Sequence, residues 1–268
     1  MSDEKPAPKT PLWEILLETP LAVLDDIGTT VKLTGETVMW CVRPPVRFTQ
    51  IIRAMEFIGV QSMFIVGLTG IFSGMVLALQ MVHALKAFNQ QGLVGGIVAV
   101  SLAREVSPVF TGLMVTARAG SALAAELGNM RVTEQIDAIT TMGVSPVQYL
   151  LSPRLIASVL MMPLLYVLYT TVGLFGGYLV AVQLLNIDPG IFFDRIRSMA
   201  SGDDLYMGLV KSAVFGFLIS SISTRHGYFA SGGARGVGEA TTKAVVQSAV
   251  AVLISNYVIT SLMTDVGG

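Results

Sequence analysis

Charged side chains are scarce in this sequence of 268 residues. Asp, Glu, Lys and Arg make up 13% of it and hydrophobic residues 53%, whereas about 25% of an average soluble domain is charged. So few charges could not cover the surface of a globule of this size in water. The composition therefore excludes most soluble classes and predicts a single polytopic membrane unit. A formal net charge of −1 gives no indication of a nucleic-acid partner.

Cysteines, metal-ligand clusters and nucleotide motifs are also missing. Cys41 is the one cysteine, so no intrachain disulfide can form, and His83 and His226 do not build a Cys/His metal cluster. No Gly-Lys dipeptide occurs, which excludes a phosphate-binding loop of the type G-x-x-x-x-G-K-[ST]. No G-x-S-x-G motif or other nucleophile–base pair is visible. We therefore expect no enzyme, no metal site and no cofactor held by this chain.

Five stretches of the sequence carry little or no charge, and each is as long as, or longer than, the roughly 20 residues that a membrane-spanning helix needs. They lie near residues 57–82, 92–117, 155–187, 205–223 and 244–264. The pattern predicts an all-α membrane protein with about five transmembrane helices. The third stretch predicts one long tilted helix, the alternative being a re-entrant pair that turns at Gly173, Gly176 and Gly177. Gly-x-x-x-Gly pairs within the spans, which predict close helix packing, start at Gly70, Gly92 and Gly173.

The distribution of Lys and Arg between the spans predicts the topology. With the N-terminus inside, the inner segments hold twelve of these residues and the outer segments four. Positive charge concentrates on the cytoplasmic side of membrane proteins, so a cytoplasmic N-terminus and an outer C-terminus are expected. Residues 1–10 are polar and do not resemble a secretory or transit signal. We therefore expect an internal helix to direct insertion, into a bacterial inner membrane rather than an organelle membrane.

Residues 1–46 predict a separate N-terminal cytoplasmic or interfacial segment, ahead of a polytopic domain over residues 47–268. Thr19-Pro20 is a helix start, and Pro44-Pro45 breaks the helix that follows. A second amphipathic stretch begins near Phe48. Both helices are predicted to lie along the cytoplasmic membrane surface, with Trp13 and Trp40 as anchors. A small soluble cap is the alternative.

Three ionisable residues interrupt the spans. Arg104 and Glu105 fall near the middle of the second stretch, where each charge costs about 2.5–3.5 kcal/mol on insertion. Pro108 removes the hydrogen bond that the Arg104 carbonyl would accept, which predicts a kink. Lys211, in the fourth stretch, is a partner for Glu105, a second cation for an anionic headgroup, or a side chain that reaches the outer interface. The residues alone leave open a polar binding site or an ion-pair network that locks helices together.

The inner segment between the second and third stretches, residues 118–154, is the longest. Glu134 and Asp137 lie on one side of a short predicted helix and Ile136 and Ile139 on the other. This helix is either an ordinary solvated loop helix or a docking element for a cytoplasmic partner. The Gly-rich residues 231–238 predict a flexible loop rather than a dinucleotide site, since no strand precedes them.

Several of these motifs together resemble the MlaE/YrbE permease family, over about residues 47–263. The resemblance rests on LAREVSPV from Leu102, ARAGSA from Ala117, AELGNMRVTEQIDA from Ala125, MGVSP from Met142, SPR from Ser152, LVKSAVF from Leu209 and ATTKAVV from Ala240. It implies the membrane subunit of an ABC transporter that moves phospholipid or a related lipid. Such permeases are homodimers with a cytoplasmic ATPase on each half, which binds the ATP, and usually a periplasmic MCE-domain protein.

The same resemblance assigns roles to residues. Arg104, Glu105 and Lys211 match polar positions near the lipid pocket, and Ser107 replaces the glycine of the family's usual Glu-Leu-Gly-Pro. The positions that match the ATPase-coupling helix are Glu126, Gly128, Arg131, Glu134, Gln135 and Asp137. The alternative function is a proton-coupled secondary transporter that uses Glu105. A membrane-embedded lipid enzyme or a scaffold protein has less support in the sequence.

Overall fold

The computed structural model of the chain describes residues 28–41, 43 and 47–265, with side chains up to Met263. The predicted helix start at Thr19-Pro20, the anchor Trp13 and the break at Pro44-Pro45 lie outside the described residues. Within the described residues every regular element is a helix.

Eleven α-helices are numbered here in chain order. The first, α1, covers residues 28–41. The others are α2 (Phe48–Ile58), α3 (Met63–Lys86), α4 (Val94–Ser101), α5 (Ser107–Val115), α6 (Ser121–Val132), α7 (Gln135–Thr141), α8 (Ser152–Tyr178), α9 (Pro189–Met199), α10 (Gly202–Tyr228) and α11 (Gly233–Asp265). Four π-helical turns, Leu102–Val106, Thr116–Gly120, Val147–Leu151 and Leu179–Leu184, connect or extend these helices.

Five continuous helical segments among the described residues are long and apolar enough to cross a membrane. They are Phe48–Lys86, Gln91–Val132, Val147–Leu184, Gly202–Tyr228 and Gly233–Met263. The predicted all-α fold with five spans is confirmed. Each segment begins before its low-charge window, because helical structure continues into the polar ends while the window marks only the apolar middle. The third segment ends at Leu184, three residues before the end of its window. The third segment is a single helix, as predicted, and does not form a re-entrant pair.

Glycines bring α3 and α8 into backbone contact. A Cβ atom at Gly74 would overlap the carbonyl of Gly173, and one at Gly70 would lie 3.1 Å from the carbonyl oxygen of Tyr169. Gly176 faces the backbone of Ile71 in the same way. The glycines that suggested a turn therefore serve helix packing, as the Gly-x-x-x-Gly pattern predicted.

The inner segment contains more helix than its sequence suggested. The second span continues through α6 to Val132, so the non-helical part of residues 118–154 is short. The short amphipathic helix is present as α7, with Ile136 buried against Leu127 and Leu151 and with Asp137 exposed. The prediction of a flexible loop over residues 231–238 was wrong, because α11 begins at Gly233. Gly232 and Gly233 have positive φ angles and form the turn that starts this helix.

Helix α1 packs on the beginning of α8. The hydroxyl of Ser152 donates a hydrogen bond of 3.2 Å to the thiol of Cys41, and Leu33 is buried against Leu127 and Val147. Burial raises the pKa of the Cys41 thiol, an effect that the hydrogen bond from Ser152 partly offsets. The helix that begins at Phe48 is also present, but it leads through a single 3-10 turn directly into α3. The position of both helices along a membrane surface stays a prediction.

Candidate functional site

A widened turn in the second span organises the candidate site. The π-helical turn Leu102–Val106 comes directly before Pro108, which lies in the first turn of α5. Pro108 has no N–H to give to the Arg104 carbonyl, and Lys211 Nζ donates to that oxygen at 2.8 Å instead. The neighbouring carbonyl of Ala103 accepts a hydrogen bond of 3.0 Å from the hydroxyl of Tyr166. The π-helical turn lies where the sequence predicts a kink, and its Ala103 and Arg104 carbonyls accept hydrogen bonds from side chains of α8 and α10.

Glu105 is the acceptor at the centre of the site. Its Oε1 lies 2.8 Å from Lys211 Nζ and accepts a hydrogen bond of 3.1 Å from the Thr260 hydroxyl. Its Oε2 accepts one of 2.9 Å from the Asn256 side-chain amide. The Lys211 side chain is fully buried, so it does not extend to the outer interface. Of the roles considered for Lys211, the structure shows the partner of Glu105.

Arg104 pairs with an acid that the sequence did not single out. Its Nε donates to Asp204 Oδ1. Asp204 is buried in the first turn of α10, where its Oδ2 accepts a hydrogen bond of 2.8 Å from the backbone N–H of Ser201. The hydroxyl of Ser201 in turn accepts from the backbone N–H of Asp204, which completes a capping box. The sequence feature that could have identified Asp204 is the Ser-x-x-Asp spacing before an apolar stretch, which is typical of a helix start.

Arg104 and Glu105 are adjacent in the sequence and pair with side chains of opposite charge on the same helix, α10. Asp204 and Lys211 are seven residues apart, which places them on the same side of α10, two turns from each other. Arg104 contacts the first and Glu105 the second, and Glu105 also contacts α11. This network fastens the second span to α10 and α11. The Arg104 side chain nevertheless keeps 46% of its surface exposed, so its guanidinium remains accessible within an apolar span.

The six residues that matched the coupling helix lie in α6, in α7 and at the junction between them. Glu126 forms an ion pair of 2.8 Å with Arg154 at the start of α8. Arg131 forms one of 2.6 Å with Asp137, which joins the exposed surfaces of α6 and α7. The remaining three are Gly128, packed against Val237; Glu134, whose φ of 58° lies in the left-handed region; and Gln135, which donates to the Thr133 hydroxyl at 3.0 Å. Arg131, Glu134, Gln135 and Asp137 lie together where α6 meets α7, and the last three of them are exposed.

The polar groups of the described residues do not gather into a metal centre. Within residues 28–41, 43 and 47–265 no three His, Cys, Asp or Glu side chains could hold an ion together. His226 instead makes a hydrogen bond of 2.6 Å with Gln247, and His83 one of 2.8 Å with the Leu79 carbonyl.

Comparison with known proteins assigns the family. The sequence model of the permease MlaE matches residues 51–262, which include all five candidate spans almost completely. The chain belongs to the MlaE permease family. The residues that carried the resemblance, from Leu102 to Val246, lie inside the matched region.

Relatives of the permease come from bacteria and from a plant. A probable ABC transporter permease protein of Rickettsia bellii is 44% identical over 225 residues, 84% of this chain and 87% of the relative. The intermembrane phospholipid transport system permease protein MlaE of Haemophilus influenzae is 36% identical over 228 residues, with the same coverage of both chains. The chloroplastic protein TRIGALACTOSYLDIACYLGLYCEROL 1 of Arabidopsis thaliana is 36% identical over 236 residues, 88% of this chain and 67% of the relative.

Proposed function

We propose that this permease is the membrane subunit of an ABC transporter that moves phospholipid or a related lipid, with a separate ATPase subunit binding the ATP. The half-exposed guanidinium of Arg104, within an apolar helix and beside a buried carboxylate, carries the proposal. A charge at that depth is costly unless it serves a ligand or a partner. The names of the Rickettsia and Haemophilus relatives support ATP-driven lipid transport over the proton-driven alternative.

The charges around Arg104 suit a phosphate group. Arg104 supplies a planar cation that can donate two hydrogen bonds to phosphate oxygens. Lys211 is fully buried and already bonded to Glu105 and to the Arg104 carbonyl, so we assign it to positioning these two residues. In this proposal the lipid site consists of Arg104, Glu105 and Lys211, and Arg104 makes the contact.

We further propose that the functional unit is a homodimer with the lipid cavity between the copies. Helix α11 is the least buried of the five spans and exposes Val250, Leu253, Ile254 and Tyr257. The same helix provides Asn256 and Thr260, the neutral partners of Glu105. A second copy packed against α11 would therefore cover the apolar surface and enclose the site.

The inner end of the molecule is proposed to dock the ATPase. Helix α7 is held to α6 by the Arg131–Asp137 pair while its polar side stays exposed. A rigid exposed helix between two spans can transmit a push from a partner to both of them. Closure of the ATPase would act through Arg131, Glu134, Gln135 and Asp137, with Glu126 and Gly128 holding α6 in place.

We also propose a bacterial inner membrane location with a cytoplasmic N-terminus and an MCE-domain protein on the outer side. The twelve inner and four outer Lys and Arg residues support this orientation. The outer end then carries α9, which exposes Ile191 and Phe193 beside the membrane boundary. These residues offer an apolar contact for an outer partner.

Lipid transport by reconstituted protein tests the site. The permease is placed in vesicles with its ATPase, and movement of a labelled phospholipid is measured with ATP. Arg104→Ala and Glu105→Ala are expected to lower the rate at least tenfold, about 1.4 kcal/mol in the barrier, while the complex with the ATPase persists. Arg197→Gln, an exposed charge on α9, is the control and should transport normally. Unchanged transport in both site variants would refute the lipid site.

Co-purification with the ATPase tests the docking surface. The double variant Glu134→Lys/Asp137→Lys reverses two exposed charges and is expected to abolish the complex. Glu239→Lys is the matched control, because Glu239 is an exposed acid on α11 that pairs with Arg235 at 3.2 Å, as Asp137 pairs with Arg131. An intact complex in the double variant would place the ATPase elsewhere.

A further inference from the structure

A cavity lies between α2, α6 and the start of α8, away from α10, the helix that holds Asp204 and Lys211. Its volume is about 320 Å³, within the range of small-molecule sites, roughly 300–1,000 Å³. Its apolar walls include Ala54 and Phe57 of α2. Its polar groups include Arg53, Glu126, Tyr149 and Arg154. A pocket with apolar walls and charged groups on one side suits the headgroup end of an amphiphile.

The charges of this cavity favour an anion. The carboxylate of Glu126 is engaged by Arg154, whose side chain is only 11% exposed. Arg53 is exposed and has no hydrogen-bond or ion-pair partner within the described part of the chain. Two guanidinium groups and one carboxylate therefore line the cavity and leave it positive, with Arg53 available to bind phosphate oxygens.

The cavity lies at the membrane boundary. Its α2 wall belongs to the first candidate span, which begins at Phe48, and α2 exposes the apolar side chains of Phe48 and Ile52 beside Arg53. We propose that the cavity binds the headgroup of an anionic phospholipid, such as phosphatidylglycerol, from the leaflet on this side. Arg53 binds the phosphate, and Phe57 and Ala54 contact the glycerol and upper acyl chain.

Site-specific photocrosslinking tests this proposal with the full-length protein. p-Benzoylphenylalanine replaces Tyr149 in the cavity or, as reference, Phe72, which α3 exposes on its apolar surface. The protein is placed in bilayers with equal amounts of phosphatidylglycerol and phosphatidylcholine, and the lipid adducts are counted by mass spectrometry. We expect phosphatidylglycerol to exceed phosphatidylcholine about fivefold at position 149, because the choline cation cancels the charge of its phosphate beside Arg53 and the glycerol headgroup does not. Neither lipid should dominate at position 72.

Two variants test the charge of the cavity and its free volume independently. Arg53→Gln should reduce the preference at position 149 to the reference ratio, whereas Arg197→Gln, an equal charge change on α9, should leave it intact. Ala54→Leu keeps every charge but fills the cavity, and should reduce adducts of both lipids. Equal adducts of the two lipids at position 149, or a preference that survives Arg53→Gln, would overturn the proposal. Transport need not change in any of these variants, so the result is independent of the function proposed for Arg104.

Discussion

Lys211 and Glu105 form an ion pair of 2.8 Å in which one partner is fully buried and the other is 41% exposed. The pair joins α10 to the π-helical turn of the second span, and the lysine also binds the Arg104 carbonyl that Pro108 leaves free. The Lys211 side chain thus neutralises the charge of Glu105 and also replaces the hydrogen bond that Pro108 cannot donate to the Arg104 carbonyl. The two residues are therefore expected to depend on each other energetically.

A double-mutant cycle measures this dependence. Glu105→Gln leaves a buried ammonium without its counterion, and Lys211→Met leaves a carboxylate with neutral donors only. Glu105→Gln is expected to lower the free energy of unfolding by about 3–5 kcal/mol, the usual effect of leaving a buried charge without its partner. Lys211→Met should lower it by less, because the remaining Glu105 carboxylate is 41% exposed. The double variant should lose clearly less than the sum, because no uncompensated charge remains.

The exposed pair Arg235–Glu239 on α11 provides the control for this cycle. Arg235→Met and Glu239→Gln should each change stability little, with a coupling energy of about 0.5 kcal/mol or less. Unfolding in a denaturing detergent gives the free energies for both cycles. Strict additivity at Glu105 and Lys211 would mean that the pair contributes no coupling.

A pair of glycines on α3 gives a sharper packing test. Gly74→Ala places a methyl group against the backbone of Gly173 and is expected to destabilise the protein by about 1–3 kcal/mol through overpacking. Gly67 lies on the same helix with nothing within 4 Å of its position for a Cβ atom. Gly67→Ala should therefore stabilise it by about 0.5–1 kcal/mol, the ordinary preference for Ala in a helix. Equal effects of the two substitutions would contradict the close contact of α3 and α8.

The fold could be predicted because membrane helices must satisfy their backbone hydrogen bonds internally. Low charge and length then suffice to find the spans, and small residues to find their contacts. The exact ends were not predictable in this way, since polar residues such as Arg131 continue a helix beyond the apolar region. The helical start at Gly233 was missed for a related reason: glycines indicate a turn but do not show how soon a helix follows.

The site could be predicted only in part. Arg104, Glu105 and Lys211 stood out because charges are rare within spans, and the Glu105–Lys211 contact was among the alternatives. Asp204 did not stand out, because it is one of four aspartates within residues 186–204, between two low-charge stretches. Asn256 and Thr260 are neutral residues in an uncharged stretch, and nothing in the order of residues places α11 beside Glu105. Tertiary contacts of this kind need the folded arrangement of helices.

The reactivity of the Cys41 thiol measures whether α1 is packed against the start of α8. Burial raises the pKa of its thiol above the ordinary value, about 8.5, so alkylation by a maleimide at neutral pH should be slow and should increase as the pH rises through the raised pKa. Because the folded protein disfavours the thiolate, its stability should decrease over the same rise in pH. Leu33→Ala loosens α1 and should speed alkylation, whereas Ser152→Ala removes a hydrogen bond that lowers the pKa and should slow it. A faster reaction in both variants would show that exposure, and not the thiol pKa, sets the rate.

The backbone at Glu134 gives a test of α7 that is independent of the ATPase. Glu134 has φ 58° and ψ 14°, a left-handed conformation that costs a residue with a Cβ atom about 1–2 kcal/mol. Glu134→Gly removes this strain and is expected to slow amide hydrogen exchange over residues 135–141, corresponding to a gain of about 0.5–1 kcal/mol in local stability. Gln135→Gly, in the neighbouring right-handed position, should lose a similar amount and exchange faster. Faster exchange in both variants would show that contacts of the Glu134 side chain outweigh the strain of its backbone.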